Sequence, residues 1–163
     1  MMSKFTRGVA VALTMGALAL TPVAVSAMGS SSSDDSSSSS EAKPANAAYD
    51  RGVAAVEAQN WKTAITNLEL ATAKDPGNAD AFNYLGYAYR KSGNYLDALS
   101  SYRTALDIDP EHKGAHEYIG QAYLEIGNLG EAEKHLSALD SICTFGCAEY
   151  TSLKNAVARV KGS

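Results

Sequence analysis

Three glycines, Gly52, Gly86 and Gly120, stand 34 residues apart, and this interval constrains the chain more than any other feature. Ala64, Ala98 and Ala132 keep the same spacing, as do Asn60, Asn94 and Asn128, and Pro76 and Pro110 repeat it once more. A fixed period of this length is the mark of stacked supersecondary units, each unable to bury its apolar face alone. Units are expected at 45–78, 79–112 and 113–146.

Inside a unit the apolar residues recur every three or four positions, which predicts two amphipathic helices. In the middle unit Phe82, Leu85 and Tyr89 mark the first helix, and Leu99, Tyr102, Ala105 and Leu106 the second. Gly93-Asn94 punctuates the turn between them. Asp109-Pro110 closes the second helix, because a residue before proline is pushed out of helical geometry. Gly86 and Ala98 lack bulk where the two helices must cross. A glycine in a helix costs about 1 kcal/mol against alanine, so closer packing is expected to offset it. The predicted fold is all-α: a solenoid of three helix–turn–helix units, then a C-terminal capping helix within 147–163, where Tyr150, Leu153 and Val157 continue the apolar phase. Lys154, Arg159 and Lys161 suit the outer face and negative end of that helix.

Phe82, Leu85, Gly86, Tyr89, Ala98, Tyr102, Ala105 and Pro110 together resemble the signature of the tetratricopeptide repeat family. The first unit matches with Gly52, Ala64, Leu68, Ala71 and Pro76, but has Ala48 and Arg51 where a large aromatic and a leucine are usual. The third matches with Ile119, Gly120, Tyr123, Ala132 and Leu136, and departs at Thr144, where proline would stand. The resemblance implies a concave surface lined by the first helix of each pair, which in this family commonly receives an extended peptide or a partner's helix. It places Tyr49, Val53 and Val56, then Asn83, Tyr87 and Arg90, then Glu117, Gln121 and Leu124 on that surface, with Lys91 and Glu125 at its rim. An amide such as Asn83 can pair with a peptide backbone, and Tyr87 offers a flat face with a polar tip. Arg90 and Lys91 suit a partner's carboxylate, Glu117 and Glu125 a basic group. The competing reading is that these are solvated helix faces.

The N-terminus points to export. Lys4 and Arg7 precede an apolar stretch from Val9 to Leu20, Pro22 interrupts it, and Val25-Ser26-Ala27 supplies small residues before a cut ahead of Met28. This is the layout of a secretory signal peptide over 1–27, and the apolar run falls short of a comfortable membrane span of ~20 residues; an uncleaved anchor is the rival. Residues 28–44 form a serine-rich linker carrying Asp34 and Asp35, too polar to fold alone and without a preorganised metal site. Removing Lys4 and Arg7 from the 14 basic residues leaves 12 against 18 acidic, a net charge near −6. That balance argues against a nucleic-acid partner, which calls for a basic surface. A periplasmic or secreted protein binding a protein or peptide of the cell envelope is expected, with no stable membrane insertion after cleavage.

Cys143 and Cys147 flank Thr-Phe-Gly at the turn into the last helix. In an oxidising compartment a short-range pair suggests a disulfide, and Gly146 lets the chain double back. A soft-metal site needs further ligands. Redox catalysis fits less well, since the spacing is one residue longer than Cys-x-x-Cys and no βαβ pattern surrounds it. His112 and His116 are four apart, but His112 lies after Pro110, and His116 occupies the packing slot filled by Phe82 one repeat earlier. His135 lies a helix away, so no three-histidine zinc site is drawn from them. No nucleophile, base and orienting group stand together, and neither a Gly-x-Ser-x-Gly elbow nor a phosphate-cradling glycine loop is present. The reading is a non-enzyme without cofactor, with metal or thiol handling by Cys143 and Cys147 as the alternative function.

Overall fold

The computed structural model describes residues 44–162. The expected signal peptide and nearly all of the expected linker lie outside them. Among the described residues seven helices run in chain order: α1 (Pro44–Glu57), α2 (Trp61–Lys74), α3 (Ala79–Lys91), α4 (Tyr95–Ile108), α5 (Lys113–Glu125), α6 (Leu129–Ile142) and α7 (Ala148–Lys161). No strand occurs among the described residues, and no helix there is long and apolar enough to cross a membrane. The chain is an all-α solenoid. α1 begins at Pro44, one residue before the expected unit boundary and at a residue that suits a first helical turn.

Local chemistry explains the starts and stops. Asn60, Asn94 and Asn128 cap α2, α4 and α6, each side chain accepting from the backbone N–H three residues on. Asn78 caps α3 in the same way, and one period later His112 caps α5, its Nδ1 3.2 Å from Ala115 N. His112 is therefore the first link of a helix rather than a passive loop residue. Each cap satisfies an N–H that the helix leaves orphaned. Within each pair the turn needs one left-handed residue: Gly93 and Gly127 take φ of 83° and 80°, while Gln59 takes 55° in the first pair.

The repeating glycines sit at crossings. A Cβ on Gly52 would lie 2.6 Å from Leu68 Cγ, and one on Gly86 would lie 2.7 Å from two ring carbons of Tyr102. In the third unit the intruding side chain is Leu153 of α7, 2.6 Å from the same position on Gly120. The last helix thus completes the crossing on α5 that α2 and α4 complete within their own pairs, and Leu136 is left half-buried. Tyr102, Leu68, Ile119, Leu139 and Leu153 are the largest fully buried side chains. Ala48 is fully buried, so the first unit's missing aromatic leaves a close contact, and Arg51 reaches across to Asn67, Nε to Oδ1 3.0 Å.

Cys143 and Cys147 stand at disulfide distance, S–S 2.14 Å and Cα–Cα 5.7 Å, joining the end of α6 to the start of α7. Gly146 takes φ of 82°, which turns the chain, and Cys147 Sγ accepts from Tyr150 N at 3.4 Å as the cap of α7.

Candidate interaction groove

The first helices of successive pairs touch one another, α1 with α3 and α3 with α5, whereas α2, α4 and α6 do not. A stack closer on one side curves toward that side, so α1, α3 and α5 line the inner face. α7 joins this row by packing against α5 as well as α6.

Aromatic rings dominate that face. Tyr49 meets Tyr84 edge-on at 5.9 Å between centroids, Trp61 meets Tyr87 at 6.1 Å, and Tyr87 meets Tyr118 at 5.0 Å. Behind the last two rings lies Arg90, its guanidinium 5.3 Å from the Tyr87 centroid and 5.8 Å from that of Tyr118. Cation–π attraction holds the rings from the rear. Burial pushes the Tyr49 phenol up to about 12, with the nearby Asp80 charge adding to it. Burial likewise raises Tyr118, helped by Glu117. These phenols stay protonated, and so remain hydrogen-bond donors, through any ordinary pH. A cavity of about 360 Å³ opens among Val56, Glu57, Gln59, Trp61, Tyr84, Tyr87, Lys91 and Tyr118. A second, of about 380 Å³, lies between α5 and α7 against Gln121, Leu124, Glu125, Ala156, Arg159 and Val160.

The residues placed on this surface from sequence divide into two groups. Tyr49, Val53, Tyr87, Glu117, Gln121 and Leu124 are half-buried, and Lys91 and Glu125 are exposed. Val56 is buried but borders the aromatic cavity. Gln121 donates to Glu117 (2.8 Å) and to Ser152 of α7 (3.4 Å), so part of the inner face is tied to the last helix. Burial raises the Glu117 carboxyl, opposed by the Ser152 and Gln121 side chains. Asn83 and Arg90 are placed differently. Asn83 is only 6% exposed, wedged toward Gly114 of α5. Arg90 is 7% exposed and donates to Glu125 at 2.5 Å, so its fork already holds a carboxylate of this same chain. A side chain that reaches the inner face from between two packed helices ends up in their interface.

Tyr84 and Tyr118 join this face beyond the expected residues, and they too are 34 apart, one position beyond Asn83 and Glu117. That register would have revealed them. Trp61 could not be found this way, because it comes from the start of a second helix, the wrong row by periodicity. The histidines gave no hint of their arrangement either. His116 and His135 meet across α5 and α6, Nδ1 to Nδ1 3.0 Å, and His116 Nε2 lies 2.9 Å from the Pro110 carbonyl. Among the described residues no group of three or more His, Cys, Asp and Glu side chains converges as a metal site.

Helical hairpins stacked through glycine crossings, with an aromatic-lined inner face left open, define a protein-interaction repeat scaffold. The tetratricopeptide repeat model matches residues 49–111 and 85–144, and the chain belongs to the tetratricopeptide repeat family. No curated protein matches it. Among solved structures it is similar to the second such domain of human RPAP3 in complex with an HSP70 peptide: 22% identity, TM-score 0.65, covering 72% of this chain and 95% of that one. It is also similar to the Yersinia enterocolitica type III secretion chaperone SycD in complex with a peptide of the translocator YopD, at 19% identity and TM-score 0.62, covering 71% and 87%. The first such domain of Spaghetti, bound to an HSP90 peptide, gives 18% identity and TM-score 0.66 over 74% and 94%.

Proposed function

We propose that this protein is an exported adaptor or assembly factor that binds a segment of an envelope protein on its inner face, without catalysis. One observation carries the reading: four half-buried aromatic side chains, Trp61, Tyr84, Tyr87 and Tyr118, surround an open cavity on the face built by the first helices. Rigid amphipathic rings in such a place are typical interface anchors. The peptide complexes of SycD and RPAP3 support a similar use of the shared fold here. The N-terminal pattern of Lys4, Arg7 and Val25-Ser26-Ala27 supports export to the periplasm or beyond. The 143–147 disulfide suits an oxidising compartment.

Arg90 is unsuitable as a probe of binding, because it is buried and paired with Glu125. The test is the pair Tyr87→Ala and Lys91→Glu, introduced together in the exporting host. The variant should keep its helical circular dichroism but lose proteins captured by the wild type from envelope extract, by about thirtyfold or more in affinity for a hot-spot anchor. Equal capture by a folded variant would refute the groove as the working surface. The alternative of thiol or metal handling by Cys143 and Cys147 is separated by titrating Cu(I) and Zn(II) before and after reduction.

A further inference from the structure

We propose that the aromatic cavity takes a proline-rich segment in the polyproline II conformation, an inference that rests on the inner face being the binding surface. Among the described residues nothing accepts a hydrogen bond from the phenols of Tyr84, Tyr87 or Tyr118, or from the Trp61 indole N–H. These groups are left facing solvent around one cavity of about 360 Å³. Lys91, which lines the same cavity, makes no ion pair there. The site therefore offers flat ring faces and a row of unpartnered phenol and indole donors, with the Glu57 carboxylate and the Gln59 amide beside them.

An occupant must bring acceptors and slim apolar surface together. A helix fits poorly, since its carbonyls are bonded within itself. A β-strand needs a free sheet edge to pair with, and helices present none. An acidic peptide needs converging cations, but Arg90 is already held by Glu125, and Glu57 shares the lining with Lys91. A polyproline II segment has no internal hydrogen bonds, so every carbonyl is free to accept, and its pyrrolidine rings lie flat on aromatic faces. Its preformed conformation also lowers the entropy lost on binding. Centroid separations of 6.1 Å from Trp61 to Tyr87 and 5.0 Å from Tyr87 to Tyr118 each fall within the reach of about two residues at ~3.1 Å each. Arg90, stacked behind Tyr87 and Tyr118 and anchored by Glu125, acts as a positioning residue that keeps the rings upright.

Trp61 is the one tryptophan of the chain, so its fluorescence reports on the cavity directly. The full protein is titrated with a decaproline peptide, a Gly-Ser peptide of equal length, an alanine-rich helix-forming peptide and an acidic peptide with a free C-terminal carboxylate. Saturable change of Trp61 emission with decaproline, and not with Gly-Ser, is expected. Tyr87→Phe and Tyr118→Phe keep the rings and remove only the donors, and each should weaken decaproline binding about three- to tenfold. Melting curves matching wild type verify that these variants are folded. Decaproline binding that ignores both phenylalanine variants overturns the proposal. Silence of Trp61 toward decaproline also overturns it; if the helical or acidic peptide then binds at Trp61, the groove reading survives with a different occupant. If no peptide binds and the Tyr87→Ala, Lys91→Glu protein still captures the same partners as wild type, both readings fall.

Discussion

Replacing His135 with Asn should flatten the acid sensitivity of the fold. His116 Nε2 faces the Pro110 carbonyl, so that nitrogen carries a proton, leaving Nδ1 of the neutral ring as an acceptor. His135 must then donate from its own Nδ1 across 3.0 Å. A further proton on His135 goes to Nε2, which leaves the bond between the rings in place but puts a charge on a half-buried ring packed against His116. Burial, and next the adjacent His116, pull His135 down from 6.5 to about 4. Arg103 and Lys134 act in the same direction, and Glu131 opposes them. Arg103 reaches this cluster through its 2.7 Å bond to the Tyr123 hydroxyl, and Tyr123 stacks on the His135 ring at 5.9 Å. The sign follows from the lowered pKa. The neutral imidazole's contribution is complete above the unfolded value of 6.5 and is lost as pH falls toward about 4. At about 1.4 kcal/mol per pH unit the ceiling is roughly 3 kcal/mol, and partial solvent access to the ring brings the expected figure to about 2 kcal/mol. Asn keeps an amide donor near the Nδ1 position and does not titrate. Urea denaturation of both proteins between pH 7.5 and 4 measures the difference directly, since the carboxylates common to both cancel. The wild type should lose about 2 kcal/mol more than His135→Asn across this window. Parallel stability curves, within about 0.5 kcal/mol, would refute the buried neutral pair.

Three further outcomes are expected. Gln59→Gly should stabilise the protein by about 1 kcal/mol in urea titration, because it relieves a left-handed residue at the register held by Gly93 and Gly127 in the other turns. Gly86→Ala should destabilise it by about 1–2 kcal/mol despite better helix propensity, since the new methyl lies 2.7 Å from the fully buried Tyr102 ring; an unchanged or raised melting temperature would contradict that crossing. Intact mass of exported protein should show no free thiol, and Cys143→Ser with Cys147→Ser should cost about 1–2 kcal/mol, with loosened protection of α7 in hydrogen exchange.

The architecture was legible because its determinants are local and repeated. An asparagine cap, a glycine where helices cross and an apolar stripe each act within a few residues, so a 34-residue period in the sequence becomes a period in space. Which side chains the inner face exposes was not legible in the same way. Asn83 and Arg90 share the register of groove residues, yet the packing of α3 against its neighbours buries both and turns Arg90 into a support for Tyr87 and Tyr118. Trp61 enters the cavity from the other row of helices, and Leu153 of α7 takes the place on Gly120 that periodicity assigns to the helix before it. The histidine contact joins residues 19 apart whose sequence neighbourhoods predict only packing. Helix identity follows from short-range sterics and hydrogen bonding, which a linear pattern encodes. Exposure and pairing at the groove follow from how closely whole helices approach, a sum over many contacts that only the assembled stack decides.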